Sequence, residues 1–372
     1  MKFRSERDAL QEALATAARA AATRGSALPV LSGVRIEANG STLQVTGSDL
    51  DLTIQVELPV NVDHEGVCVV PARLITDIVR ALEPGAVVFE VDDGEARISS
   101  GRSQFAVRVL PAEEFVKVTP PAGEAVTLSA SDFAEALRQV VPAASHDDAR
   151  PILTGVLMAA ESGGLRLVAT DSYRLAMRDL PGTSVLSEGQ SVLVPSRALG
   201  ELARLLAGAE HVTLRLTDDA ASFEVSTGSG AGAGSVRMRT RLLEGEFPNY
   251  RQLIPDAYPN RAIIGKEPLL DAVRRVKLLA REATPVRISL KADGLELTAI
   301  TQDVGQAHED LDAKYEGGEM VVAFNPEFLI DGVEAVPGDE VQLETLDALK
   351  PATVRPTGGP EYLYLLMPVR VS

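Results

Sequence analysis

Few side chains in this sequence have the types and spacing that catalysis or metal binding requires. The four histidines, His64, His146, His211 and His308, lie far apart, and none has a second His or a Cys at metal-ligand spacing. The one cysteine, Cys68, falls in the apolar stretch GVCVVP, which is typical of a buried, inert thiol. The residues therefore predict no catalytic centre, no metal site and no cofactor.

Adjacent aspartates are the next candidates, because paired carboxylates can act as general acid and base. Asp92-Asp93 and Asp218-Asp219 each stand between two runs of alternating apolar and polar residues, which is the pattern of hairpin turns. Asp147-Asp148 has no His or Lys partner that the pattern implies. We interpret all three pairs as structural.

The glycine-rich segment 228–243, GSGAGAGSVRMRTRLL, matches phosphate-binding loops only in part. It contains no lysine, which a Walker loop requires. A dinucleotide loop must lead into a helix, whereas Val236, Met238 and Thr240 follow here with the alternation of a strand. The segment predicts a flexible hairpin tip, and the chain as a whole is expected to be a scaffold or binding protein.

Composition narrows the class of protein further. The 372 residues include 36 Lys and Arg against 53 Asp and Glu, a formal net charge of −17. This balance argues against a generic basic nucleic-acid binder and leaves a local basic surface possible. With one cysteine no intramolecular disulfide can form. Since neither an apolar leader nor a run of 18 apolar residues is visible, we expect a soluble cytoplasmic protein without a membrane partner.

The chain repeats itself three times. SALPVLSGVRI at 26–36 matches DARPILTGVLM at 148–158, and ATPVRISL at 283–290 is a fainter copy. Two further blocks recur in the same order, at 43–58, 165–180 and 295–311, and then at 69–82, 193–206 and 321–336. A period of about a third of the chain is too long for a solenoid unit. It predicts three tandem domains at 1–120, 126–248 and 251–372.

Each repeat shows the same predicted elements. Each opens with apolar residues at helical spacing: Leu10, Leu14 and Ala17; Phe133, Leu137 and Val140; Leu269, Val273 and Val276. A second helix is expected directly after Pro71 and Pro195, and the stretch 43–58 alternates as a strand does. No long crossover between parallel strands is visible. The fold class predicted is α+β, with two helices and a mostly antiparallel sheet in each domain.

These segments resemble the bacterial sliding clamp family, the beta subunit of DNA polymerase III. The resemblance covers the whole length, and its most specific pieces are LPVLSGV, ATDSYRLA, GEFPNYRQLIP and the C-terminal MPVR. It implies a DNA clamp fold and a head-to-tail homodimer, in which six similar domains form a ring. Helices would line the hole and sheets would form the outer wall.

The resemblance also implies a non-catalytic processivity factor. The ring would encircle double-stranded DNA without sequence specificity, tether the replicative and other DNA polymerases, and be opened and closed by a clamp loader that uses ATP. Because closure around DNA is topological, weak phosphate contacts suffice, and tight contacts would impede sliding. Tethering raises the effective concentration of the polymerase at the primer end.

Five arginines are candidates for contact with DNA. Arg73 and Arg197 occupy equivalent positions in two repeats, as do Arg80 and Arg204, and Arg24 lies in the loop after the first predicted helix. The repetition favours a shared face, the alternative being ordinary surface arginines on solvated helices. The six predicted helices have nearly balanced charge, so they are less acidic than the rest of the chain without being basic.

In this family, partners dock a short apolar peptide in a cleft between the second and third domains. Carried over by position, the cleft residues are Arg150, Leu153, Thr170, Tyr173, Arg174, Leu175, Pro248, Leu253, Leu349, Leu365, Met367, Pro368, Val369 and Arg370. Leu and Met bind extended apolar peptides adaptably, and flanking arginines orient them. The alternative for Leu153, Leu175 and Leu253 is ordinary core packing. Tyr173 and Gln252 stand where relatives often carry His and Arg, so partner preference is expected to differ.

The same carry-over predicts a dimer contact between the first domain of one chain and the third domain of the other. Phe105 and Val107 would meet Leu278 and Leu279. Phe105 alternates with Val107 on one strand face, as an edge strand at an interface does. The alternative is ordinary core packing for all four residues.

Three other functions stay open at this stage. An enzyme with its site between two domains would need a titratable cluster, which the sequence does not show. A structural or adaptor repeat would bind no DNA. A paralogue of the clamp would serve repair or resistance instead of replication, and the lethality of its deletion distinguishes that case.

Overall fold

The protein is described from a computed structural model over residues 1–22, 28–161, 163–227, 234–255, 257–280, 284–358 and 361–370. Within those ranges every strand pairing is antiparallel, so no pair of strands needs a crossover connection. Helices accompany the sheets in each third of the chain. The α+β class predicted from the sequence is confirmed.

The described residues form six α-helices: α1 (Arg7–Ala18), α2 (Ala72–Ala81), α3 (Ala130–Val140), α4 (Ser196–Leu205), α5 (Lys266–Lys277) and α6 (Pro326–Ala335). The apolar residues that predict α1, α3 and α5 are at most 1% exposed. As predicted, α2 and α4 begin directly after Pro71 and Pro195, where the missing N–H of proline costs no helical hydrogen bond. At the start of α3, the Ser129 hydroxyl accepts the backbone N–H of Asp132 at 3.4 Å.

The strands are numbered along the chain. The first thirteen are β1 (Lys2–Glu6), β2 (Gly33–Asn39), β3 (Thr42–Ser48), β4 (Leu52–Pro59), β5 (Asn61–His64), β6 (Gly66–Pro71), β7 (Ala86–Asp92), β8 (Glu95–Ser100), β9 (Ser103–Arg108), β10 (Ala125–Ser129), β11 (Gly155–Glu161), β12 (Gly164–Thr170) and β13 (Arg174–Pro181). The others are β14 (Ser191–Pro195), β15 (His211–Leu216), β16 (Ala220–Thr227), β17 (Gly234–Arg241), β18 (Asn260–Gly265), β19 (Val286–Lys291), β20 (Gly294–Thr301), β21 (Gly305–Leu311), β22 (Ala313–Glu316), β23 (Met320–Phe324), β24 (Glu340–Thr345), β25 (Ala352–Pro356) and β26 (Tyr362–Leu366).

The chain divides into two compact units. Unit 1 comprises 1–134 and 201–242, and unit 2 comprises 135–200 and 243–372. Unit 1 holds the sheets β5-β1-β7-β8-β9 and β10-β15-β16-β17-β4-β3-β2-β6, and unit 2 holds the sheets β14-β11-β12-β13-β26-β25-β24-β18-β22 and β21-β20-β19-β23. The long sheets arise because β17 pairs with β4 and β26 pairs with β13, which joins strands of neighbouring predicted domains. The units therefore differ in their limits from the three repeats.

The repeats are visible in the backbone. The 3-10 turns Pro29–Ser32 and Pro151–Thr154 lead into β2 and β11 at the same spacing as the sequence match. Leu50, Ser172 and Asp303 have φ of 83°, 82° and 63°, each in the turn after the first hairpin of its repeat. Non-glycine residues rarely adopt this left-handed conformation. Its recurrence at three corresponding turns supports the threefold repeat.

The hairpin turns predicted at Asp92-Asp93 and Asp218-Asp219 and the burial predicted for Cys68 are confirmed. Asp93 and Gly94 have positive φ in the two-residue turn between β7 and β8, and Asp218-Asp219 lies in the turn between β15 and β16. Burial raises the pKa of the Cys68 thiol to about 12. The predicted hairpin tip at 228–233 lies outside the described residues, although β16 and β17 on either side pair with each other.

Candidate functional site

The predicted cleft residues lie in unit 2, around the turn between β12 and β13. The carboxylate of Asp171 accepts the backbone N–H groups of Tyr173 and Arg174 at 2.9 and 3.0 Å. The hydroxyl of Thr170 accepts the N–H of Ser172 at 3.2 Å and donates to the carbonyl of Arg174 at 2.6 Å. These bonds fix a left-handed turn that presents Tyr173 to solvent, 61% exposed.

Arg174 is buried and connects this turn to α6. Its Nε donates to Asp171 at 3.0 Å, and its terminal nitrogen donates to the Asp331 carboxylate and, at 3.3 Å, to the hydroxyl of Tyr364. The guanidinium also lies 4.3 Å from the centroid of the Phe328 ring. A buried charge with this many partners is a structural anchor beneath the turn. Burial raises the pKa of Tyr364, which keeps its hydroxyl protonated.

The segment after β26 is held by backbone hydrogen bonds to two other parts of unit 2. The N–H of Met367 donates to the carbonyl of Tyr173 at 2.9 Å, and the N–H of Val369 donates to the carbonyl of Ala323 at 2.8 Å. The side chains of Met367 and Val369 remain about a third exposed. Beside them Pro368 is half-buried and Arg370 is exposed. The backbone is therefore held while apolar side chains face solvent.

The turn between β24 and β25 extends this apolar surface. Ala352 directly follows the turn and pairs with Leu366, which places the turn beside the end of β26. The carboxylate of Asp347 accepts the N–H of Leu349 at 2.7 Å, and the Leu349 side chain is 64% exposed. Leu346 in the same turn is 38% exposed and was missed by sequence reasoning. Its position three residues before Leu349 was the available signal.

Three predicted cleft residues are core instead of surface. Leu175 and Leu365 are 0% and 1% exposed and pack with Tyr250, and Leu153 is 7% exposed. The burial of Leu153 and Leu175 agrees with the core-packing alternative, and the assignment of the three leucines to the cleft stays a prediction. Thr170 is also buried. The exposed members are Tyr173, Pro248, Leu253, Leu349, Met367, Val369 and Arg370.

Arg150 lies at the edge of the same turn. It donates to Asp147 at 2.9 Å and to the hydroxyl of Ser172 at 3.3 Å. Hydrogen bonds from the N–H of Ala149 and from Arg150 lower the pKa of the Asp147 carboxyl. Arg150 is thus positioned to orient a polar group next to the apolar surface.

The predicted DNA-contacting arginines lie on two helices. Arg73 and Arg80 are both exposed on α2, and Asp77 lies between them, 4.0 Å from the first and 3.3 Å from the second. On α4, Arg197 is exposed, and Arg204 is exposed and 2.9 Å from Glu201. Arg24 lies outside the described residues.

The predicted dimer residues lie at or near sheet edges. β9 is the last strand of its sheet, with Phe105 40% exposed. Val107 is 6% exposed, which agrees with the core-packing alternative, and its assignment to the interface stays a prediction. Leu278, just after α5, is 83% exposed, and Leu279 is half-buried. β21 is the edge strand of the four-stranded sheet of unit 2.

The described residues contain neither a cluster of metal-ligating side chains nor a helix that could span a membrane. Across these ranges, no group of three or more His, Cys, Asp or Glu side chains is placed to hold a metal ion. None of the described helices is both long and apolar enough to cross a membrane.

The threefold α+β repeat with antiparallel sheets is shared with solved structures of DNA clamps. Family models of the DNA polymerase III beta subunit match residues 1–119 (N-terminal domain), 127–249 (central domain) and 251–370 (C-terminal domain). The chain belongs to this family, the beta sliding clamps, which are non-catalytic processivity subunits of the polymerase.

Relatives match over essentially their full length. The beta sliding clamp of Streptomyces coelicolor is 37% identical, with 100% of both chains covered, and the beta sliding clamp homolog GriR of Streptomyces muensis is 32% identical, with 100% of this chain and 99% of the relative covered. Among solved structures, the Bartonella birtlesii DnaN sliding clamp bound to griselimycin has a TM-score of 0.91 at 31% identity, with complete coverage of both chains. The Bacillus subtilis clamp has a TM-score of 0.89 at 29% identity, again with both chains fully covered.

Proposed function

We propose that this protein acts as a head-to-tail homodimeric ring of six domains that encircles duplex DNA and tethers DNA polymerases. The observation that carries the proposal is the run of three clamp-domain matches, at 1–119, 127–249 and 251–370, in a chain whose β9 and β21 edges are both unpaired in the described residues. The domain limits that we propose are 1–120, 126–248 and 251–372. A clamp loader that uses ATP would open and close the ring. Because bacterial replication takes place in the cytoplasm, the proposed location is cytoplasmic.

Pairing of β9 from one protomer with β21 from its partner would close the ring. An unpaired strand edge offers N–H and C=O groups to another chain. β9 ends at Arg108, whereas β21 carries Glu309 and Asp310, so the two edges have opposite charge. Glu309 already accepts hydrogen bonds from Arg275 of its own chain at 2.7 and 3.0 Å, which lower the pKa of its carboxyl. Apolar contacts of Phe105 and Leu278 are therefore expected to carry more of the affinity.

The arginines of α2 and α4, with Arg24, would contact DNA phosphates in the ring. Arg73, Arg80, Arg197 and Arg204 are exposed, and Arg73 and Arg80 share the carboxylate of Asp77. Reversal of Arg24 and Arg73 to Glu is expected to reduce retention on nicked circular DNA and to flatten its salt dependence. A matched control is Arg4→Glu with Arg97→Glu, two exposed arginines of β1 and β8. Equal retention for the test and control variants would remove Arg24 and Arg73 from the DNA surface.

The apolar surface around Tyr173, Leu349 and Met367 would receive the short peptides by which polymerases and the clamp loader attach. Its exposed side chains surround a backbone that is fixed by hydrogen bonds, so little order is lost on binding. Arg150 at the rim would orient the peptide. This assignment makes the surface the docking site and the buried leucines beneath it the support.

A further inference from the structure

Unit 1 contains a cavity that the clamp function leaves unused. It has a volume of about 540 Å³ and lies between one face of the eight-stranded sheet and the connecting segment 112–121. All of its lining residues belong to unit 1. Sites for small molecules in proteins typically have volumes of about 300–1,000 Å³. The cavity is therefore large enough for a small organic ligand.

The equivalent sheet face in unit 2 is covered by its connecting segment and can be compared with the open face in unit 1. Thr53 in β4 and Leu175 in β13 are equivalent at the repeat spacing, and their strand partners are Arg239 and Leu365. Next along the same strands, Gln55 opposite Arg237 corresponds to Met177 opposite Leu363. A face that is apolar in unit 2 thus carries arginines and polar groups in unit 1.

The connecting segments of the two units also differ in where their aromatic side chain packs. In unit 2, Tyr250 of the connector packs on the leucines of this face and is 5% exposed. In unit 1, the connector aromatic is Phe115, and it packs on Val30, Leu31 and Val69 instead. Phe115 therefore lines the cavity without packing into this sheet face as Tyr250 does in unit 2, and the cavity remains.

The cavity has an excess of positive charge in an acidic chain. Five of its lining side chains are cationic and three are carboxylates, whereas the chain has a net charge of −17. Two of the carboxylates are matched within the cavity: Glu37 with Arg35 at 2.6 Å, and Glu224 with Arg237 at 3.1 Å. The remaining carboxylate, Glu113, lies on the connector.

The other cations have weaker compensation. Arg215 donates to the carbonyl of Gly123 at 3.1 Å, a neutral partner. Arg239 lies 3.4 Å from Asp219. The Asp219 side chain is 70% exposed, so water competes with Arg239 for its carboxylate. Lys117 adds a charge from the connector. An anion that enters the cavity meets Arg215 and Arg239, whose partners are neutral or solvated, and Arg237, whose ion pair with Glu224 is partly exposed to water on both sides and is therefore weak.

The wall opposite the arginines is largely apolar. The connector presents Val116, Val118, Pro120 and Pro121 to the cavity. We propose that the cavity binds a small organic anion, with its phosphate or carboxylate on Arg237 and Arg239 and its apolar or aromatic body against the connector. Arginine is suited to this role because its planar fork binds such groups bidentately.

Calorimetric titration of the full chain tests the proposal with two probes, ATP without divalent metal for the phosphate and 1-naphthoate for the carboxylate. The wild type is expected to bind at least one probe with a Kd below about 1 mM, and R237Q with R239Q to weaken that binding at least about tenfold. The control, K2Q with R4Q, removes the same charge from β1 outside the cavity and should bind like the wild type. Adenosine, which lacks the anion, should give no signal.

A second variant keeps the test independent of folding defects. R237L with R239L recreates the leucines that unit 2 carries at the matching positions, so it should fold while losing the probe. In the wild type, the bound probe should also slow cleavage by trypsin after Lys117, which is exposed on the connector. The proposal is overturned if neither probe binds, if both arginine variants bind normally, or if the β1 control loses binding equally. None of these outcomes depends on the clamp function.

Discussion

Truncation of Leu349 to alanine separates the docking surface from the core beneath it. Leu349 is 64% exposed, so its removal should change the free energy of unfolding by less than about 0.5 kcal/mol. Fully burying a leucine is worth about 1.5–3 kcal/mol, so covering the exposed part with a peptide contributes about 1–2 kcal/mol. Loss of that contact should weaken peptide binding about 5- to 30-fold.

The assay is fluorescence polarisation with a labelled peptide of about six residues that carries Leu and Phe side chains, a length suited to an extended docked segment. Leu74→Ala is the matched control, because Leu74 lies on α2 and is 49% exposed. It should leave the Kd unchanged. Leu175→Ala is the opposite control, since a fully buried leucine costs about 2–5 kcal/mol of stability when truncated.

Two results would show that the peptide does not bind at the surface around Leu349. If Leu349→Ala binds the peptide like the wild type while Leu175→Ala loses binding without losing stability, the buried leucines contact the ligand and the surface described above is wrong. Equal weakening by Leu349→Ala and Leu74→Ala would show that the peptide binds exposed leucines without a site.

Three further predictions follow from burial and close contacts. Burial raises the pKa of the Cys68 thiol from 9.0 to about 12, so Cys68 should resist iodoacetamide at pH 8 until the protein unfolds. The contribution of the buried thiol to the free energy of unfolding should be complete below pH 9 and be lost as the pH rises toward 12. Fast labelling of the folded chain would contradict this prediction. Gly47→Ala should lower the thermal midpoint strongly, because a Cβ there would lie 1.9 Å from the carbonyl oxygen of Ala17, whereas an unchanged midpoint would refute the contact. Leu278→Ala with Leu279→Ala should favour the monomer in light scattering without loss of stability, and a dimer that persists on dilution would argue against this interface.

Five of the helices could be predicted from short stretches of sequence, because their start or their apolar spacing depends only on neighbouring residues. The prolines before α2 and α4 and the apolar spacing of α1, α3 and α5 need no information from elsewhere in the chain. The hairpin turn at Asp93-Gly94 is equally local, since both residues accept positive φ.

The limits of the compact units could not be predicted in the same way. They depend on β17 pairing with β4 and β26 pairing with β13, and these strands are about 180 residues apart along the chain. Strand edges carry no sequence signal for their partner, because backbone groups make the bonds. The sequence repeats identify the three copies, but they do not show which strands of neighbouring copies pair in one sheet.

The cleft residues were predicted from their positions in the sequence, and the structure shows which of them are buried and which are exposed. Leu175 and Leu349 have the same side chain, and only the structure shows that the first is fully buried and the second mostly exposed. The partners of Arg174 were missed because Asp331 and Phe328 lie on α6, more than 150 residues away. No local pattern links an arginine in one repeat to a helix of another.

Closure of the ring around DNA is tested by comparing retention on circular and linear DNA. The chain is loaded by a clamp loader with ATP onto nicked circular DNA, separated from free protein by gel filtration, and the DNA is then cut once. A closed dimeric ring stays on the circle and is released after linearisation, in a form with a mass of about 78.8 kDa, twice 39.4 kDa. Equal retention on circular and linear DNA, or no retention on the circle, would contradict closure of the ring.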